Sequence, residues 1–509
     1  MSGMPASAQM QVGMLLIVLG FLSAVRGCWP GRSTVPSSVR AVEFTTLDNT
    51  ALRPAHVGLS IVLTLGMVID TMKPATLGFV LPGLAAEYRI STAQASILPL
   101  VALTGTTIGS IAWGVLADRI GRRPTILLSG LLFVSTAICG AMPSFAWNLV
   151  MCLLMGASAG GFLPVAYSLL SEVMPASRRG LIVVLLTGLG TTGGYLVASG
   201  AAAAFEPHFG WRILWFLGLP TGLLLLLLNR WIPESPRFLA AHGQLSDAQQ
   251  VMDRFGVKPL STPESSTPPS HSGTERSSAV RATRLRWLFQ APYTGPTLAI
   301  VLYGLAWGLV NWGFITFLPI FLRGQADDLA TGELLFLGAL LAIPNTLLVA
   351  YLYGRWSSRR SMILYAVSTA VTLVGFAVLT TGSGTPRWLL TVLVAALLTS
   401  TGGMIAMLGP YAAEIYPTLL RGSGSGLAAA ASKAAGMIAP PFVGTLAAIV
   451  TPRLIALLIA VPAAAAGIVF ARTGRETAGQ PLPEADLSAG VLGRVGELSP
   501  DGAPSAARE

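Results

Sequence analysis

The sequence predicts an all-α membrane protein with twelve spanning helices in two pseudo-symmetric bundles of six. Three observations carry that expectation. The 509 residues are 53% hydrophobic and only 11% charged, against about 25% charged in soluble proteins. The apolar residues fall in runs of about twenty, enough to cross a hydrocarbon core roughly 30 Å thick. One polar pattern, E-x-x-P-x-x-x-R-G, occurs twice, from Glu172 to Gly180 and from Glu414 to Gly422, an interval of 242 residues (172 to 414). A polar pattern repeated at that distance is the mark of a duplicated half.

In chain order, the first apolar stretch, Val12 to Val25, has about fourteen residues. That is short for a span and closer to a signal-peptide core or an overextended start. Residues 1–54 are therefore read as a partly disordered N-terminal extension outside the fold. Spans follow near 57–84, 95–116, 125–142, 148–171, 181–204 and 212–232, giving a first bundle over 55–232. Residues 233–296 form a linker with a short amphipathic helix around Asp247 to Phe255. Its Ser-, Thr- and Pro-rich part, 261–278, cannot bury enough apolar surface to order itself. The second bundle, 297–471, holds spans near 297–322, 331–354, 361–381, 388–412, 424–450 and 454–471. Residues 472–509 are polar and expected to be a disordered tail.

The formal charge is +10, but its placement excludes a nucleic-acid partner. Loops carrying Arg119, Arg122, Arg123, Arg178, Arg179, Arg355, Arg359, Arg360 and Arg421 alternate with loops almost free of basic residues. By the positive-inside rule the arginine side, with both termini and the linker, is cytoplasmic. This places the protein in the cytoplasmic (inner) membrane of a bacterium. Cys28, Cys139 and Cys152 show no metal or redox spacing, and the four histidines are scattered. Neither a metal site, a cofactor site nor a catalytic constellation can be assembled, so no enzyme is expected.

Between the second and third spans the chain reads GVLADRIGRR, Gly114 to Arg123, and after the sixth PESPRFL, Pro233 to Leu239. With the repeated E-x-x-P-x-x-x-R-G, these segments resemble the major facilitator superfamily, in particular its sugar-porter-like and organic (aromatic) acid:proton symporter branches. The resemblance covers roughly residues 55–472 and implies a monomeric transporter working by alternating access on a small-molecule substrate. It also implies an inner gate, in which Asp118, Arg122, Glu172, Arg179, Glu234 and Arg237 serve the first half and Glu414 and Arg421 the second. The physical basis is that Asp118, at a helix end among arginines, can hold charges of a neighbouring helix in one conformer only. The second half departs from the pattern: YGRWSSRR, Tyr353 to Arg360, puts Arg355 near the position of the acidic residue. An asymmetric latch follows.

Three charges lie near the middle of spans: Asp70 and Lys73 in the first, Lys433 in the eleventh. Each costs about 2.5 to 3.5 kcal/mol at a helix centre. They are therefore expected to face one another or a wet cavity. Asp70 and Lys73, three residues apart, share a helix face and can pair. Pro74 lacks the amide that would bond the Asp70 carbonyl, leaving an acceptor at mid-membrane. Two of the chain's three lysines are intramembrane, and lysine changes its charge state more readily than arginine. Asp70 is thus the candidate proton carrier, with Lys73, Lys433, Asn311 and Trp312 as candidate substrate residues. Tyr167, Tyr195, Asn345 and Tyr411 read as interhelical bonding groups, and Gly156 and Gly160 as close-packing positions.

These readings lead to proton-coupled uptake of a small organic anion, with protons, substrate and the bilayer as the only partners. Proton-antiport export is the nearest rival: antiporters of the superfamily carry a Gly-Pro-x-x-Gly-Gly element in the fifth span, whereas Leu189 to Gly194 lacks its proline. Sugar uptake ranks lower, because NWGFITFLPIFL in the seventh span lacks paired glutamines. A non-transporting receptor is the rival of a different class.

Overall fold

A computed structural model describes residues 52–256, 287–323, 328–380, 385–416 and 418–478, together with 12, 15, 19, 20 and 22–27. Every regular element among them is helical. In hydrocarbon no water can bond a free amide or carbonyl, so each spanning segment must satisfy its backbone internally.

The first half contains α1 (Pro54–Tyr88), α2 (Ile97–Ile120), α3 (Arg122–Ser135, continued by a 3-10 turn, Thr136–Ala141), α4 (Phe145–Val173), α5 (Ala176–Phe209) and α6 (Arg212–Trp231). The second contains α7 (Thr294–Leu322), α8 (Thr331–Trp356), α9 (Ser358–Leu379), α10 (Arg387–Ile415), α11 (Thr418–Leu446) and α12 (Pro452–Thr473). Eleven of these are long and apolar enough to cross a membrane. The twelfth, α11, is 29 residues long, and its glycines, prolines and Lys433 dilute its hydropathy. Large apolar side chains such as Ile111, Leu347, Val371 and Val461 point outward and are more than 60% exposed, as a lipid-facing surface requires.

Small residues set the packing. A Cβ added to Gly160 of α4 would lie 2.7 Å from the Ser110 amide of α2, and one on Gly161 2.6 Å from the Trp113 ring. The Trp113 indole donates to the Ala157 carbonyl at 2.7 Å. This close crossing of α2 and α4 fixes the depth and direction of Ser110. The halves meet along a seam where α1 touches α7, α2 touches α11, and α5 touches α8 and α10. Gly78 of α1 lies so near α7 that a Cβ there would sit 2.7 Å from the Thr316 carbonyl oxygen.

At the end of the molecule remote from the arginine-rich loops, Arg212 at the start of α6 ties four helices together. It pairs with Glu87 of α1 at 2.8 Å and donates to the Gly140 carbonyl at 2.7 Å. Tyr88 bonds the Met142 carbonyl at 2.9 Å and accepts from Asn148 of α4 at 3.0 Å.

The linker begins with two short helices, Pro236–Ala241 and Leu245–Phe255. The second buries Met252 and Phe255 against Leu59, Leu170 and Val173 at the arginine-rich end of α1 and α4. The Ser-, Thr- and Pro-rich part of the linker lies outside the described residues. In the N-terminal extension, set aside on sequence grounds, Ala24 and Val25 are helical and pack on Trp113, Ile120 and Leu128 of α2 and α3. Of this stretch, Ala24 and Val25 thus contact the first bundle, while Val12, Leu15, Leu19 and Leu22 are exposed.

Candidate functional site

Lys433, midway along α11, reaches across the seam. Its ammonium donates to the Ser110 hydroxyl of α2, and it interacts electrostatically with the buried Asp70 carboxyl of α1. One turn along α11, Gly436 leaves room for the Trp312 indole: a Cβ there would meet its Cδ1 at 2.6 Å. Trp312 and Asn311, both half-buried, lie in a seven-residue π segment of α7, Leu309–Ile315. Such π turns inside helices are frequent at functional sites, since the wider turn re-aims side chains and loosens the backbone ladder. The structure thus gathers Asp70, Lys433 and Trp312 from three helices of both halves. Ser110 was missed: a single serine in an apolar span carries no sequence signal until its partner is known.

Asp70 is 5% exposed. Next to it, Thr71 donates to the Met67 carbonyl at 2.7 Å and, across to α5, to the Gly190 carbonyl at 2.8 Å. Gly194 permits that approach, since a Cβ there would lie 2.9 Å from the Met72 amide. The α1 segment around Asp70 is therefore anchored to the first half, while Lys433 belongs to the second.

Lys73 does not pair with Asp70, contrary to the sequence expectation, and it is not presented to the seam. Its ammonium donates to the Phe133 carbonyl and the Thr136 hydroxyl, both at 2.6 Å, and lies 4.1 Å from the centre of the Phe133 ring. Those three partners account for its three N–H bonds, and the residue is 1% exposed. The reason is local. α3 ends as a regular helix at Ser135 and tightens into a 3-10 turn, which leaves carbonyls unsatisfied at a negative helix end. Lys73 caps that end, and Gly218 of α6 makes the space, its Cβ position lying 2.8 Å from the lysine Cε. We expect Lys73→Ala to lower stability by about 2 to 5 kcal/mol through a cavity and stranded acceptors, and Lys73→Met to cost clearly less because it keeps the volume. Thermal unfolding measures both. If Lys73→Met weakens substrate binding as much as Lys433→Gln does, Lys73 belongs to the substrate site after all.

At the arginine-rich end, Glu234 caps α3. Its carboxylate accepts from the backbone amides of Arg122 at 2.7 Å and Arg123 at 3.2 Å, the arrangement favoured at a helix N-terminus. Gly121, with φ +103°, allows the turn, and its missing Cβ leaves the space that the carboxylate fills. Burial pushes the Glu234 carboxyl above its ordinary range, and the hydrogen bonds from Ser235, Arg122 and Arg123 only partly offset this. The Arg122 guanidinium lies 5.9 Å from the centre of the Phe238 ring. The side chains of Asp118, Glu172, Arg179, Arg237 and Arg421 lie outside the described residues.

The second half repeats this cap with a residue that sequence reasoning consigned to the tail. Glu476 accepts from the first amide of α9, that of Ser358, at 2.8 Å, and from the hydroxyls of Ser358 (2.6 Å) and Ser357. The interval from 234 to 476 is the same 242 residues that separate Glu172 from Glu414. Glutamate followed by a hydroxyl residue, Glu234-Ser235 and Glu476-Thr477, was the available signal. Residues 474–478 form a strap: the Arg475 amide donates to the Tyr411 hydroxyl at 2.8 Å, and the Thr477 hydroxyl donates to Glu414 at 2.7 Å. Glu414 also accepts from Tyr353 at 2.6 Å, so the second half holds its acidic residue with hydroxyl groups.

Burial would raise the Glu476 carboxyl, but bonds from Ser357, Ser358 and the Ala478 amide outweigh it and hold it near about 2. Because the folded value lies below the ordinary 4.5, the cap is fully present above pH 4.5 and is lost as pH falls from there toward 2. At neutral pH, Glu476→Gln is expected to release the strap and speed trypsin cleavage after Arg475 by roughly tenfold, the effect of losing about 1.4 kcal/mol of charge-assisted bonding. Unchanged cleavage would mean that the strap is held by Thr477 and Arg475 alone.

The family described as Major Facilitator Superfamily matches residues 63–408. The chain is 25% identical to the niacin transporter NiaP of Acinetobacter baylyi over 410 residues, covering 77% of this chain and 88% of that protein. It is 27% identical to the 4-hydroxybenzoate transporter PcaK of the same organism over 380 residues, covering 72% and 79%. In fold alone it is similar to the E. coli xylose transporter XylE in a partially occluded inward-open conformation, with a TM-score of 0.65 at 15% identity over 84% of this chain and 100% of that one. With two six-helix halves meeting at a polar seam and a family match spanning most of the helices, the chain belongs to the Major Facilitator Superfamily and is a multi-pass membrane transporter, not an enzyme.

Proposed function

We propose that this transporter takes up a small aromatic or heteroaromatic monocarboxylate together with a proton, by alternating access across the bacterial cytoplasmic membrane. The observation that supports this most is the placement of Lys433, bonded to Ser110 across the seam beside Asp70. A substrate carboxylate can replace the neutral Ser110 hydroxyl on the ammonium, a stronger charge-assisted bond. Trp312 offers a ring face to an aromatic substrate. One ammonium cannot neutralise two carboxylates at mid-membrane, so the anion enters with a proton on Asp70. Anion and proton then cross as a neutral load, and their joint removal lets Lys433 return to Ser110 and Asp70. The relatives named for niacin and 4-hydroxybenzoate carry substrates of this class.

In the same reading, the arginine-rich end is cytoplasmic, and Asp118, Arg122, Glu172, Arg179, Glu234, Arg237, Glu414 and Arg421 belong to the gate that closes it. Glu234 and Glu476 fix the N-termini of α3 and α9, so that each gate loop moves with its own bundle.

The test is uptake by proteoliposomes. With one proton per monocarboxylate, each pH unit across the membrane supports about tenfold accumulation, or 1.36 kcal/mol. Nicotinate or 4-hydroxybenzoate should accumulate to that extent, and neutral nicotinamide and xylose should not. Accumulation of xylose, or of nicotinamide equally with nicotinate, would defeat the anion reading.

A further inference from the structure

α8 leaves the bilayer at the arginine-rich end through a π turn, Leu352–Trp356, and α9 starts directly after it at Ser358. Between this turn, the start of α9 and the strap lies a cavity of about 410 Å³ lined by Arg355, Trp356, Ser357, Arg360 and Glu476. Among the described residues neither Arg355 nor Arg360 has a carboxylate partner. Glu476, although it lines the cavity, is committed elsewhere: its oxygens accept from the Ser358 amide and hydroxyl, the Ser357 hydroxyl and the Ala478 amide. The Arg360 guanidinium lies 6.0 Å from the centre of the Trp356 ring.

The approach to this cavity is apolar. Leu347, Leu348 and Tyr351 on α8 are 63, 50 and 62% exposed, and Trp356 at the cavity's edge is 49% exposed. An aromatic belt residue therefore stands where a lipid-facing lane ends at two guanidinium groups that have no carboxylate partner among the described residues. Guanidinium matches phosphate geometry, and basic pockets at this depth suit anionic headgroups. A soluble phosphate would engage the arginines alone, whereas a phospholipid, with its acyl chains already against this lipid-facing side of α8, engages both.

We propose that this cavity binds the headgroup phosphate of an anionic phospholipid, with Arg355 and Arg360 on the phosphate and the acyl chains along Leu347, Leu348 and Tyr351. The bound lipid bridges α8, the start of α9 and the strap, and so ties the second half to the surrounding leaflet. This site is independent of the substrate proposed above.

Native mass spectrometry of the purified full chain tests it, with phosphatidylglycerol and phosphatidylcholine of identical chains and with inorganic phosphate as probes. Phosphatidylglycerol should be retained at least tenfold better than phosphatidylcholine. Arg355→Gln and Arg360→Gln should each reduce that preference, and the double variant should abolish it. Arg472→Gln, an exposed arginine at the same end but outside the cavity, should leave it unchanged. Should the double variant fail to fold, the two single variants decide. Equal retention of both lipids overturns the proposal, and so does an Arg472→Gln loss as large as that of the cavity variants, which would indicate diffuse surface charge. If inorganic phosphate binds with the same arginine dependence and no lipid preference is seen, the occupant is a soluble anion and the lipid assignment is wrong.

Discussion

Asp70→Asn is expected to abolish accumulation driven by a pH gradient while leaving substrate exchange between preloaded vesicles close to the original rate. Asparagine keeps the size and hydrogen-bonding capacity of the carboxyl but cannot release a proton at physiological pH. If Asp70 carries the proton, the loss of energetic coupling is complete, and the tenfold accumulation per pH unit falls to none. Exchange survives because the loaded carrier with a permanently neutral residue 70 resembles the protonated state that crosses with substrate. The empty return is what fails, since Lys433 would then face the membrane without its carboxylate. A variant that still concentrates substrate would place coupling at another group and reduce Asp70 to an electrostatic partner of Lys433.

Lys433→Gln should weaken binding of carboxylate substrates by about 10- to 150-fold, the equivalent of a hydrogen bond to a charged group worth about 1.5 to 3 kcal/mol. Neutral analogues of the same ring should lose far less, because glutamine retains the donor and removes only the charge. Ser110→Ala provides the internal contrast. It removes the group that holds the ammonium in the empty protein, so carboxylate affinity should be preserved or slightly increased. Isothermal titration with nicotinate and nicotinamide separates these outcomes. Equal losses for both ligands would show that Lys433 holds the seam together and does not recognise charge.

The two charges behave differently from Lys73 although the same reasoning selected all three. The insertion cost of a mid-membrane charge applies equally to each, and it says only that a partner must exist. Lys433 found a hydroxyl partner, Ser110, across the seam, where it also feels the charge of Asp70. Lys73 found two oxygens and a ring inside its own bundle, at the broken end of α3. The i,i+3 spacing was a sound argument about the α1 backbone, yet a long lysine side chain follows whichever neighbour offers acceptors. The α3 break and the space at Gly218 decided its direction. Glu476 is the opposite case, a residue with a visible repeat interval that polar composition alone assigned to a featureless tail.

What the sequence determined by itself was the number of spans, their division into two halves and the family. A helix enters the bilayer according to the hydropathy of its own twenty or so residues, and loop arginines bias its orientation locally. Such properties are written in consecutive residues and need no knowledge of neighbours. The pairing of Lys433 with Ser110, the seating of Trp312 on Gly436, the burial of Lys73 against Phe133 and the capping of α9 by Glu476 were decided only in the tertiary structure. Each joins segments separated by 60 to 323 residues. The free energy of such contacts depends on which helix faces are brought together and where small residues let backbones approach. No window of the chain carries that information until the helices have packed.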